Sequence, residues 1–149
     1  MDPERRSICT IGCEDMDLSD FVDRLKASCV EILFDLRLDP KAVKSEFSGE
    51  NLEQVLAHEG IGYVHIEALG SPRAAREDFC ETGNWQSFRQ VYMKHLHSQG
   101  EALHTVLQSA KYAKVCLMGR ARDPAHCHRL MVAERLKELE EGKLQIRHI

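Results

Sequence analysis

"VEILFDL", residues 30–36, is the stretch that decides the fold. Apart from Glu31 and Asp35 it is apolar, without the polar alternation of a strand that shows one face to water. Such a run reads as a strand buried on both faces, and strands of that kind belong to parallel sheets covered by helices. The segments on either side agree. "DLSDFVDRLKAS" (17–28) sets Leu18, Phe21, Val22 and Leu25 at helical spacing, with Asp17 as a cap. "GENLEQVLAHEG" (49–60) points Leu52, Val55 and Leu56 inward and stops at Gly60.

The alternation continues outward. "SICTIG" (7–12), "IGYVHIEAL" (61–69) and "AKVCLM" (113–118) read as further strands, and "KLQIRHI" (143–149) as a half-buried edge strand. Residues 84–98 put Trp85, Phe88 and Tyr92 on one helical face, and 101–110 continue as helix. Residues 70–83, with Gly70, Pro72, Arg73, Arg76 and Gly83, read as a looser connection. Asp123 and Pro124 are a cap and first-turn pair opening a last helix that runs to about Glu141, stops at Gly142 and buries Val132, Leu136 and Leu139. No repeat or linker divides the chain. The expectation is a single α/β domain over residues 1–149, with a mainly parallel sheet of about five strands and helices on both faces.

A formal charge of −4 argues against a broad nucleic-acid-binding face, which needs a surplus of Lys and Arg. No apolar run approaches the roughly 18 residues of a membrane span. The opening "MDPERRS" is charged and lacks the apolar core of a secretory signal, which points to the cytoplasm. The six cysteines are then expected as reduced thiols, with Cys29 and Cys116 as packing residues.

In doubly wound sheets ligands collect beyond the carboxyl ends of the strands. This sequence places there Gly12, Cys13 and Glu14; Asp35 and Arg37; His65 and Glu67; and Gly119, Arg120 and Arg122. "DPAHCHR" (123–129) adds a Cys-His-Arg triplet near a helix start, where free N–H groups and the helix dipole favour anions and lower a thiol pKa. Cys127 fits a thiolate nucleophile or a half-buried packing thiol, His128 an acid or base, and Arg129 a fork for carboxylate or phosphate. A helix starting at Pro124 turns Cys127 away from the sheet and lets His128 and Arg129 reach it, unless the helix starts later.

Other patterns carry less. Cys116 to Arg122 has the Cys-x5-Arg spacing of phosphate-cradling loops, but six Cys and twelve Arg supply roughly 0.5 such pairs by chance. Cys116 also lies within a strand. Cys13, His65, His126, Cys127 and His128 include enough ligand types for a metal, yet no paired Cys/His motif of the zinc type exists, so neither metal nor cofactor is expected. Asp35 and Arg37 fit a structural ion pair as well as they fit substrate binding. His95, His97 and His104 read as solvated helix residues.

Taken together, "TIG" (10–12), "FDLRLDP" (34–40), "FSGENL" (47–52), "GIGYVHIEALG" (60–70), the Trp-x-x-Phe-x-x-x-Tyr run (85–92), "DPAHCHR" (123–129) and a terminal "HI" resemble the uncharacterised "domain of unknown function 488" family over nearly the whole chain. The resemblance implies a cytoplasmic protein with no established reaction. It also exposes departures. Cys13 stands where the family usually has His, Gly119 and Ala121 replace a Cys-x-Glu pair, and Ala42 replaces a Ser or Thr. Asp35, Arg37, Tyr63, His65, Cys127, His128 and Arg129 are retained.

The candidate site is therefore Cys127, His128 and Cys13 for catalysis, with Asp35, Arg37, Tyr63, His65, Arg120 and Arg129 for substrate. Two functions fit it. One is an enzyme acting on a small anionic molecule through this Cys/His/Arg pocket. The other is a catalytically degenerate module that binds an anion or a partner, having lost the Cys-x-Glu pair. Either way an anion-accepting pocket bordered by Arg37, His128 and Arg129 is expected, with no membrane and no broad nucleic-acid surface as partner. Nothing in the sequence specifies an oligomeric state.

Overall fold

The run at 30–36 becomes a short strand, β2 (Ile32–Asp35), whose last three residues are buried. It belongs to a sheet with β1 (Arg6–Gly12), β3 (Gly62–His65), β4 (Val115–Gly119) and β5 (Leu144–His148). The computed structural model describes residues 6–40 and 45–149. Ala42, most of the N-terminal "MDPERRS" and the side chain of His126 lie outside that description. The strand order is β3-β2-β4-β1-β5, and every neighbouring pair is parallel. An α/β architecture with a five-stranded parallel sheet is what the alternation in the sequence requires.

Side-chain alternation along the strands builds two cores, one per face. Cys9, Ile11, Leu33, Cys116 and Met118 pack against Phe21, Val22 and Leu25 of α1 (Leu18–Ala27) and against Leu52 and Leu56 of α2 (Gly49–His58). Ile8, Phe34, Val115 and Leu117 face the other way. They meet α3 (Arg73–Thr82), α4 (Trp85–His97), α5 (Gly100–Ala110) and α6 (His128–Leu139). The chain winds outward from β1 through α1 and α2 on one face. It then returns along the opposite face to insert β4 between β1 and β2. The loop after β4 thus lies where the winding reverses, the place at which such sheets open a crevice.

Several local expectations need correction. Residues 73–82 form a helix rather than a loose connection, with Gly83 ending it in the left-handed conformation (φ 67°). The missing signal is an apolar stripe: of α3 only Ala75 is buried, and Phe79 sits edge-on to Trp85 at 5.5 Å. The third strand stops at His65 because Glu67–Leu69 coil into a 3-10 turn. Cys29 is exposed, held at φ 58° in the turn after α1, and is no packing residue, whereas Cys116 is fully buried. Leu139 is exposed at the end of α6. His95 is more than a solvated residue, since its Nε2 donates to the Ala68 carbonyl and ties α4 to the 3-10 turn.

The largest correction concerns the last helix. Pro124 opens only a 3-10 turn, Pro124–His126, capped by the Asp123 side chain on the Ala125 N–H. The chain then extends at Cys127 (φ −131°, ψ 140°), and α6 begins at His128 with Cys127 as its N-cap. The late start reverses the direction of the Cys127 side chain.

Candidate functional site

Two groups of side chains occupy the carboxyl rim of the sheet, one toward each helical layer. The first is built on β2 and β3. Asp35 ends β2 and is completely buried. Arg37 donates to both of its oxygens, from Nε at 2.9 and 3.2 Å and from Nη2 at 2.7 Å, and its backbone N–H adds a bond of 3.0 Å. Tyr63, on the neighbouring strand two positions before Asp35's register partner His65, donates its hydroxyl to Oδ2 at 2.6 Å. The ion pair that the sequence left open is therefore present. Burial pulls the Arg37 guanidinium down, but Asp35 outweighs it and holds Arg37 above its ordinary value. The Tyr63 hydroxyl is pushed well up by burial and by the same carboxylate.

Cys13 and His65 border this group. Cys13 lies just past β1, half-buried, with its N–H on the Gly119 carbonyl at 3.3 Å. Burial raises its thiol pKa; Arg37 opposes that rise and Asp35 adds to it. Cys13 is thus a thiol at neutral pH. His65 donates Nε2–H to the Arg37 carbonyl at 2.7 Å. His65 also borders a cleft of about 350 Å³ lined by Leu38, Asp39, Glu67 and Arg73. Arg120 is exposed beyond β4, and its carbonyl accepts from Glu14 N–H at 2.9 Å.

The second group is Cys127, His128 and Arg129. A Cβ placed on Gly119 would come 2.3 Å from Cys127 Sγ, so the thiol occupies the space where a side chain of residue 119 would begin. Only glycine admits it. Cys127 is 4% exposed and its side chain makes no cap hydrogen bond, but the His128 ring and the Arg129 N–H lie near enough to favour its anion. Burial pushes the Cys127 thiol up. His128 and Arg129 outweigh burial and bring it down from 9.0 to about 6.

His128 is fixed on its far side. Its Nε2–H donates to the Leu36 carbonyl at 2.8 Å, which leaves Nδ1 as the ring's second nitrogen. Its ring meets Tyr92 edge-on at 5.4 Å, and Tyr92 is anchored by its hydroxyl on the Leu69 carbonyl. Tyr92 was legible in the sequence as a core aromatic but not as a support for His128.

Arg129 is 1% exposed. Nη1 donates to the Ala121 carbonyl and Nη2 to the Arg122 carbonyl at 3.1 Å, while Nε has no partner. Among the described residues no carboxylate is paired with it. The loop that supplies the carbonyls is pressed onto β1, where a Cβ on Gly12 would lie 2.0 Å from the Ala121 oxygen. Arg129 also faces β5: His148, bonded to the buried Thr10, is lowered by burial and by the Arg129 charge. Of the trio expected to border an anion pocket, Arg37 is engaged by Asp35, His128 by Leu36 and Arg129 by two carbonyls. Among the described residues no three His, Cys, Asp or Glu side chains converge as a metal would need.

Fold and site define a doubly wound parallel α/β protein with a helix-capping cysteine where the winding reverses. The sequence model of the family described as "Domain of unknown function DUF488" matches residues 17–136, so the chain belongs to that family. The match runs from the Asp17 cap to Leu136 and takes in both groups except Cys13. No curated protein and no solved structure matches the chain. Among the described residues no helix is long and apolar enough to cross a membrane.

Proposed function

We propose that the protein is an enzyme that uses the Cys127 thiolate on a small anionic substrate at the carboxyl rim of the sheet. The observation that carries this reading is the state of Cys127: a thiol at a helix N-terminus, brought down to about 6 by His128 and Arg129 against its own burial. A thiolate at neutral pH is a nucleophile in place, and a histidine oriented by a backbone carbonyl is the acid–base partner such chemistry uses. The unpartnered Arg129 Nε–H, the first N–H groups of α6 and the exposed Arg120 are the donors that an anion would find. Cys13 serves as a bordering group, since its raised pKa leaves it protonated. A cytoplasmic setting suits a working thiol, because a reducing compartment keeps it available.

The test is alkylation with iodoacetamide over a pH series, mapped peptide by peptide. Cys127 is expected to reach half its maximal rate near pH 6 and Cys13 only above 9, following their opposite shifts. A Cys127 midpoint above 8 removes nucleophilic catalysis. The second reading, an anion- or partner-binding module without chemistry, draws on the 4% exposure of Cys127 and on the engagement of Arg37 by Asp35. It predicts thermal stabilisation by sulfate, phosphate or carboxylates in Cys127→Ser as in the wild type, at about 2.7 kcal/mol for a ligand at 100 times its Kd.

A further inference from the structure

The sulfur of Cys127 is nearly enclosed, and what encloses it narrows the chemistry. Sγ rests over Gly119 on a residue only 4% exposed, so bulky electrophiles are kept off it. Arg129 Cδ lies 3.3 Å from the same point over Gly119 that Sγ approaches to 2.3 Å. The next atom of that side chain is Nε, a donor on a residue 1% exposed, with no acceptor. A buried donor without an acceptor carries a desolvation cost that an oxygen atom placed beside it would remove.

We propose that Cys127 is a peroxide-reducing thiol: its sulfur takes one oxygen from a small hydroperoxide while the Arg129 Nε–H steadies the oxygen that leaves. The inference rests on the reading of Cys127 as the working thiol, and exchanges the anionic substrate for a small neutral oxidant. Hydrogen peroxide and short alkyl hydroperoxides are the smallest oxidants of this kind, and both oxygens of their reacting bond accept hydrogen bonds.

The step balances. The thiolate attacks the terminal hydroxyl oxygen of ROOH; an S–O bond forms, the O–O bond breaks, and RO⁻ leaves. The sulfur is oxidised by two electrons to sulfenic acid and the peroxide is reduced to ROH. RO⁻ takes the proton it needs from water, and the His128 ring stays fixed beside the sulfur by its Nε2–H on the Leu36 carbonyl. Cys9, Cys13 and Cys116 belong to the core on the opposite face of the sheet, so none of them resolves the product. An external low-molecular-weight thiol does, displacing water to give a mixed disulfide that a second such thiol reduces.

The experiment treats the full chain with hydrogen peroxide at pH 7 for a timed interval, removes the peroxide, unfolds the chain in denaturant containing a 1,3-dione probe so that every sulfenic acid is trapped alike, and maps the labelled cysteines. Cys29 and Cys80, both exposed, serve as ordinary thiols in the same molecule. Cys127 is expected to be labelled at least about tenfold faster than either, and Arg129→Lys to lose about tenfold of that rate. Labelling of Cys127 no faster than Cys29 and Cys80 overturns the proposal, and an unchanged rate in Arg129→Lys overturns the role of Nε. Should Arg129→Lys not fold, the comparison within the wild type still decides. The iodoacetamide profile separates the two readings: a midpoint near pH 6 without preferential peroxide labelling sinks this inference alone, and an alkaline midpoint sinks both.

Discussion

The two groups at the rim solve the same problem in opposite ways. Each buries a guanidinium, Arg37 at 8% exposure and Arg129 at 1%. Arg37 has a carboxylate against it, with a tyrosine hydroxyl taking up one of the remaining lone pairs. Arg129 has backbone carbonyls and no carboxylate among the described residues. A buried charge without a counter-charge is costly, so the acidic group nearest to it is drawn toward ionisation. Beside Arg37 that group is the carboxyl of Asp35. Beside Arg129 it is a cysteine, which is neutral in water at pH 7. The carboxylate group is closed and the thiol group is poised, and the difference lies in which acid the chain placed next to its arginine.

Breaking the closed group should have the largest effect. Asp35→Ala leaves Arg37 buried and unpaired, and about 3–5 kcal/mol of stability should disappear in urea denaturation. A loss below 1 kcal/mol would show the pair to be solvated.

The poised group should reveal itself through pH. Its folded-state pKa is depressed, from 9.0 to about 6, so the unfolded chain binds the extra proton between those values. The stability it contributes is complete above pH 9, declines as pH falls and is gone below about 6. At roughly 1.4 kcal/mol per unit the full gain approaches about 4 kcal/mol. The stability difference between wild type and Cys127→Ser should widen accordingly from pH 6 to 9. A flat difference would mean that the thiol does not ionise.

A smaller change links geometry to that ionisation. Gly119→Ala sets a Cβ against Sγ, so the thiol must turn away from its place at the helix start. An overpacking cost of about 1–3 kcal/mol is expected, together with a rise of the Cys127 alkylation midpoint toward 9. Smallest should be Tyr63→Phe, which removes one hydrogen bond to the buried carboxylate and should cost about 1.5 kcal/mol in thermal unfolding. Cys127 reactivity should not change with it, since Tyr63 serves the other group.

What the sequence disclosed follows from what apolar patterning can report. The strands were legible because runs such as 30–36 and 113–118 are buried on both faces. The helix at 73–82 was not, because a segment that buries only Ala75 writes no stripe. The start of α6 was misplaced because Asp123 and Pro124 are genuine start signals, spent on a 3-10 turn. Cysteine is not among the residues by which a cap is recognised. Asp35 and Arg37 could be paired from two positions of spacing. The isolation of Arg129 could not, since it depends on carbonyls of residues 121 and 122, whose side chains play no part.

The placement of β1 also governs the order in which the molecule can be made. Its residues pair with 115–119 on one side and 144–148 on the other, and Thr10 is bonded to His148. Of the five described strands, β1 leaves the ribosome first and is among the last to be completed. Contacts of such sequence separation slow folding, and an apolar strand without neighbours is open to wrong partners while it waits. This chain should lean on chaperones during synthesis, and a ribosome stalled before residue 115 should display "SICTIG" as a sticky, unpaired segment.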